Sequence, residues 1–202
     1  MIKKYNQYIK ENINLDPYGE EDWDDDTPII IIAKQQNKPL DQITKLSCLD
    51  HLTSLEGIEN LINLKELNCY HNQLTSLEGI ENLTNLTYLN CLGNQLTSLR
   101  GIENLTNLMF LDCSFNQLTN LDGIENLTNL KYLICSHNQL TSLDGIEKLT
   151  NLQKLYCSHN QLTGLEGIEK LTNLERLLCR RNNFSDDYKE YLKNLKIKNL
   201  LI

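Results

Sequence analysis

Apolar residues return along this chain at intervals too regular for a set of unrelated helices and strands. From residue 64 the phrase LKELNCYHNQLTSLEGIENLTN is followed by LTYLNCLGNQLTSLRGIENLTN and LMFLDCSFNQLTNLDGIENLTN, and the 22-residue period holds to Asn173. A copy one residue shorter runs from Ile43 to Asn63, and a degenerate one starts at Leu174. Leu, Leu, Cys, Asn and Leu hold the first, fourth, sixth, ninth and eleventh positions of each full copy. Variable residues at the third and fifth positions alternate with the constant Leu and Cys, which predicts a short strand with the constant pair facing inward. Units of this size cannot bury their apolar faces alone, so they must stack into one continuous core.

The ends break the period, as the ends of a stacked array must. Ser185 followed by Asp186 and Asp187 is a helix start, and Tyr188, Tyr191, Leu192 and Leu195 give an apolar face at helical spacing. A capping helix is expected there, with Ile197–Ile202 finishing against it. At the other end Ile2, Tyr5, Ile9 and Ile13 suggest a short amphipathic helix, and Pro28 before Ile29–Ile32 predicts an edge strand or extended segment. The expected division is an N-terminal cap with an acidic loop (1–42), about seven repeats (43–184) and a C-terminal capping helix (185–202).

The period and its constant positions are the signature of a leucine-rich repeat. The stretches LTNLTYLNCLGNQLTSLRGIENLTNL and LTNLKYLICSHNQLTSLDGIEKLTNL resemble the 22-residue repeats of bacterial internalins and of the nuclear phosphatase-1 regulatory subunit, over residues 43–184. That resemblance implies an α/β solenoid: a right-handed leucine-rich repeat horseshoe with a parallel concave β-sheet, short 3₁₀ or irregular convex turns and helical terminal caps. Cys at the sixth position, where those families usually carry Leu, looks more like the leucine-rich repeat proteins of mimivirus and related giant amoebal viruses. The absence of Val, a single Ala (Ala33) and abundant Asn, Ile and Lys point the same way, to an AT-rich genome. The secretion signal and calcium-hand-like cap of internalins are missing, so host-cell adhesion is not carried over.

The seven cysteines, Cys48, Cys69, Cys91, Cys113, Cys135, Cys157 and Cys179, all fall at the sixth position. Parallel strands stack at about 4.8 Å, so the thiols should form a buried column and act as small hydrophobes. A disulfide framework fits poorly with an odd number and parallel side-chain vectors. Zinc ligands would need paired spacing, and a nucleophilic thiol would need access and a base. The Asn of the ninth position, Asn72 to Asn182, is expected to bond main-chain groups of adjoining turns. Gly at the sixteenth position suggests a left-handed or crowded turn, and the Glu column from Glu59 to Glu169 reads as a solvated face.

Positions three, five, seven and eight differ between copies, and in this fold they project from the sheet or its edge onto the concave surface. They place Tyr70, Tyr88, Phe110, Phe115, Tyr132 and Tyr156 there, with His71, His137, His159 and Asp112 beside them. Tyr88, Phe110 and Tyr132 hold one position in three successive copies and should form a stripe. Such rings are enriched in protein interfaces, although they could also stack on one another to shield the sheet with no ligand. Arg176, Arg180 and Arg181 make the last copy basic, a place for a phosphate or an acidic partner segment.

A formal net charge of −8 argues against non-specific binding to nucleic acid or an anionic membrane. The sequence GEEDWDDD, residues 19–26, reads as an exposed acidic loop around Trp23, without the oxygen-ligand pattern of a calcium loop. The N-L-T sequons at Asn82, Asn104 and Asn126 read as turns, because no targeting segment is visible. These observations predict a monomeric, intracellular, cytoplasmic protein (host cytoplasm if the source is viral) with no cofactor, metal or catalytic site. The expected function is a non-enzymatic scaffold that binds a protein on its concave aromatic face. The alternative is a regulatory subunit docking on an enzyme such as a phosphatase.

Overall fold

In each copy the alternation around the constant Leu and Cys produces a three-residue strand, and the Gly-Ile-Glu stretch produces a single 3₁₀ turn. The computed structural model describes residues 28–48, 51–195 and 197–202. The expected N-terminal helix at 2–13, the acidic segment 19–26, and Leu49 and Asp50 lie outside them. Strands β1 (Lys45–Ser47), β2 (Glu66–Asn68), β3 (Tyr88–Asn90), β4 (Phe110–Asp112), β5 (Tyr132–Ile134), β6 (Lys154–Tyr156) and β7 (Arg176–Leu178) line up in chain order as one parallel sheet. Across the sheet 3₁₀ turns follow each strand's coil, from Ile58–Asn60 to Ile168–Lys170. The coils stack into one solenoid, with the strands in a single sheet and a 3₁₀ turn in each intervening stretch.

The register is the same at each full repeat: Leu67, Leu89, Leu111, Leu133, Leu155 and Leu177 pair in sequence. These Leu, the Ile row beginning at Ile58 and the Cys row merge into a single buried core from Ile29 to Leu192. All seven thiols are unpaired and buried. Cys69 Sγ donates to the Asn90 carbonyl at 3.4 Å and Cys91 Sγ to the Asp112 carbonyl at 3.3 Å, so these two thiols reach into the next coil.

Two Asn rows stitch the coils. Asn116 Oδ1 accepts from the Leu96 N–H of the preceding coil at 2.9 Å. Its Nδ2 donates to the carbonyls of Cys91, Cys113 and Ser114. A second row, in the final position of each repeat, carries no expectation from the sequence reading. There Asn107, Asn129 and Asn151 donate to the carbonyls of Thr84, Thr106 and Thr128, each at 2.9 Å.

The turn side is more constrained than a solvated face. Gly79 sits at φ +97°, and a Cβ there would lie 2.8 Å from Ile58 Cγ2 of the preceding coil, so both conformation and space require Gly. The N–H of Gly79 donates to Glu81 Oε2 at 2.9 Å, that of Gly101 to Glu103 at 2.7 Å and that of Gly123 to Glu125 at 3.1 Å. From Gly57 to Gly123 the Glu column therefore satisfies a backbone donor at the start of the 3₁₀ turn.

The N-terminal end departs from expectation, whereas the C-terminal helix forms where it was expected. Pro28–Lys34 is a helix, α1, and not an extended segment. Proline suits the first turn of a helix because its φ is already helical and no N–H is needed there. A helix also gathers Ile29, Ile32 and Ala33 on one face, and all three are buried in the core. A strand would have sent alternate Ile to opposite sides, where the end of a coil offers apolar surface on one side alone.

At the C-terminus Ser185 Oγ accepts from the Tyr188 N–H at 3.1 Å and opens α2 (Asp186–Asn194). Tyr188 Oη accepts from the Leu165 N–H at 2.6 Å, anchoring α2 to the coil beneath. The segment after α2 does more than finish against it. Asn199–Leu201 forms β8, parallel to β7, with Leu200 opposite Leu177.

Candidate functional site

Pleating sends the middle residue of each strand into the core and the residues on either side outward. The constant register then turns one repeat position into a row across the sheet. Tyr88 on β3 lies opposite Phe110 on β4, and Phe110 opposite Tyr132 on β5. The first pair stacks at 4.5 Å with planes 8° apart, and the second is tilted at 6.3 Å and 40°. Lys154, next in the row on β6, holds its ammonium 4.9 Å from the Tyr132 ring centroid. At the far end of the row Lys45 pairs with Glu66 at 2.8 Å.

The neighbouring row carries Asp112 on β4 and Tyr156 on β6. Asp112 Oδ1 accepts from the Ser114 N–H at 3.0 Å, and Asn90 Oδ1 accepts in the same way from the Leu92 N–H at 3.1 Å. One oxygen of Asp112 is thus committed to the turn after its strand. Tyr156 Oη accepts from Arg176 Nη1 at 3.4 Å.

The eighth-position row is built differently. His71, Phe115, His137, His159 and Arg181 all adopt a left-handed backbone with φ between 52° and 57°, and Gly93 in the same row has φ 67°. Residues with a Cβ enter this region at a cost of roughly 1–2 kcal/mol each. The conformation aims each N–H at the next coil: His71 donates to the Leu92 carbonyl, Phe115 to Ser136 and His137 to Ser158. This row varies in side chain but not in backbone.

Its rings also stack. Phe115 and His137 lie 4.0 Å apart at 12°, and His137 and His159 lie 3.9 Å apart at 17°. Partial burial, then His159 and Arg181, push the His137 pKa down from its ordinary value. Further along the solenoid Tyr70 meets His71 edge-on at 5.4 Å. The ring of His71 occupies the space above Gly93, where a Cβ would lie 2.9 Å from its Nδ1.

The ten residues singled out from the sequence therefore fall into three groups on or beside the outward face. Tyr88, Phe110 and Tyr132 form one, Phe115, His137 and His159 a second, and Tyr70 with His71 a third, while Asp112 and Tyr156 sit between them. Lys154 and Arg176 extend the ring groups and were not among the ten, although each occupies the same repeat position as Tyr88. Among the described residues no group of three or more His, Cys, Asp or Glu is placed to hold a metal ion. None of the described helices is long and apolar enough to cross a membrane.

Comparison with known proteins gives the same architecture. The family described as Leucine Rich repeats (2 copies) matches residues 62–107, 84–126, 106–148, 128–170 and 150–194, overlapping pairs of coils. Among solved structures, the chain is similar to a leucine-rich repeat protein of Leptospira interrogans, with 34% identity and a TM-score of 0.73 over 80% of this chain and 46% of that one. It is similar to internalin C2 of Listeria monocytogenes, with 29% identity and a TM-score of 0.60 over 79% of this chain and 90% of that one. It is also similar to the functional domain of InlJ from Listeria monocytogenes, which includes a cysteine ladder, with 34% identity and a TM-score of 0.59 over 73% of this chain and 37% of that one. The chain thus spans less than half the length of the Leptospira protein. No curated protein matches it.

Proposed function

The chain belongs to the leucine-rich repeat family, and on that premise we propose that it is a non-enzymatic scaffold that binds a protein partner on the concave, outward face of its sheet. The observation that carries this reading is the row Tyr88, Phe110, Tyr132 with Lys154 above the last ring. The fold needs Leu, Cys, Asn, Gly and Ile at fixed positions. It does not need aromatic residues in this row, which elsewhere holds Lys45, Glu66 and Arg176. Rings there supply broad contact area at small entropic cost.

Shielding of the sheet by the rings alone is the competing account. Half-buried rings stacked on one another still leave edges and faces toward solvent, and central aromatic residues commonly dominate binding energy. The test is partner capture from a lysate of the source cells with two variants. Tyr88→Ser, Phe110→Ser and Tyr132→Ser together should lose the partner. Glu81→Gln, Glu103→Gln and Glu125→Gln on the turn side should keep it, because Gln retains the carbonyl oxygen that accepts the Gly N–H. The reverse pattern would show that the wrong face has been chosen.

A further inference from the structure

The outward face changes chemistry along the solenoid. Over β3 and β4 it presents Tyr88, Phe110 and Asn90, and at the N-terminal edge the charges of Lys45 and Glu66 neutralise each other at 2.8 Å. Over β6, β7 and the turns after them it presents Lys154, Arg176, Arg180 and Arg181. Among the described residues none of these four cations pairs with a carboxylate. Glu175, just before β7, is the acidic neighbour in the last coil. A concentration of unpaired positive charge on one end of one face stands out in a chain of net charge −8.

The two regions are close enough for a single segment to touch both. Phe110 and Arg176 are three strands apart in the same row. At about 4.8 Å per strand that is roughly 14 Å, the reach of about four residues of extended chain at ~3.3 Å each. Resting on the concave-face reading above, we infer that the occupant is an acidic protein segment lying across the strands, with an aromatic or aliphatic anchor on Tyr88, Phe110 and Tyr132 and its carboxylates over Lys154, Arg176, Arg180 and Arg181.

Charge complementarity decides this occupant over a nucleic acid. A polynucleotide is charged along its whole length, so it would lay phosphates over the neutral rings and beside Asp112 and Glu66 while approaching a negatively charged protein. An acidic segment meets the cations at one end and places uncharged atoms on the rings at the other. Guanidinium groups suit it further, since they bind carboxylates in a two-pronged geometry.

The test uses the full chain as bait for a random peptide library. The expected result is enrichment of Asp or Glu runs lying about four residues from an aromatic or aliphatic residue. The selected peptides should lose about tenfold or more in affinity for the variant Arg176→Gln, Arg180→Ser, Arg181→Asn. Asn suits the left-handed backbone at position 181, and slow thiol labelling would verify that the variant is folded. Selection without acid enrichment, unchanged affinity for the variant, or stronger competition from a mixed-sequence single-stranded oligonucleotide than from the selected peptide would each overturn the inference. Two failures remain separable in the partner-capture experiment. A partner kept by the cation variant but lost by the aromatic variant removes the acidic segment and leaves the concave face standing. A partner kept by both the aromatic and the cation variants removes the concave face itself.

Discussion

Asn116 holds four main-chain groups at once, one N–H and three carbonyls, in a region closed to water. Buried main-chain groups left without a partner cost about 1–3 kcal/mol each, so Asn116→Ala should lower unfolding stability by about 3 kcal/mol or more. Asn129→Ala, in the exposed second row, removes a single bond to Thr106 and should cost about 1 kcal/mol or less. Equal shifts in denaturant midpoint for the two variants would contradict the distinction. The thiols make a second prediction. Burial holds the pKa values of Cys48 and Cys179 up at about 12 and raises those of the five thiols between them well above the ordinary value. The folded state therefore favours the protonated form, and its stability is complete below the unfolded thiol pKa of about 8.5. It declines as pH rises through that value toward the folded ones. A melting temperature that falls steeply above about pH 9, with slow native labelling and complete labelling after denaturation, is expected; rapid labelling of several thiols in the native protein would count against it. The inward Cys row was readable because one residue type recurred at one phase of the period. The left-handed eighth position was harder to read, because Phe and Arg carry no such preference and the hints in the row are only Gly93 and the mild enrichment of His at positive φ.

Among the elements, the capping structures show where local sequence is a poor guide. Four consecutive Ile favour a strand by propensity, yet Pro28–Lys34 is helical because the end of the first coil rewards one apolar face. The start of α2 was readable, since Ser185 and the acids after it form a local capping pattern. Strand β8 was not, because Asn199–Leu201 keeps only the inward Leu of the repeat, as Leu200, without the Cys and Asn that mark the other copies. Deleting residues 186–202 would remove α2 and β8 together, strip the Tyr188 hydroxyl from Leu165 and uncover the face of β7. Aggregation, or faster amide exchange spreading from that end, is the expected result. A soluble monomeric truncation that melts as the full chain does would show that the last coil needs no cover.

For the molecule as a whole, the fold was legible because a single period implies one register, and one register implies one sheet. The outward face was legible in part. Repeat position told which rings share a row, but the three ring groups, the ammonium above Tyr132 and the bond from Arg176 to Tyr156 depend on side-chain geometry that spacing does not contain. Each full coil meets the next through the same Leu pairing and the same two Asn rows. The leading surface of one coil is thus a mould for the trailing surface of any other, so length is a variable that the architecture leaves open. Inserting a duplicate of residues 108–129 after Asn129 should yield a folded chain, lengthen the sheet by about 4.8 Å and leave the melting temperature no lower. A lineage carrying such a module can change the span of its binding face by copying or losing a coil, without inventing a new core.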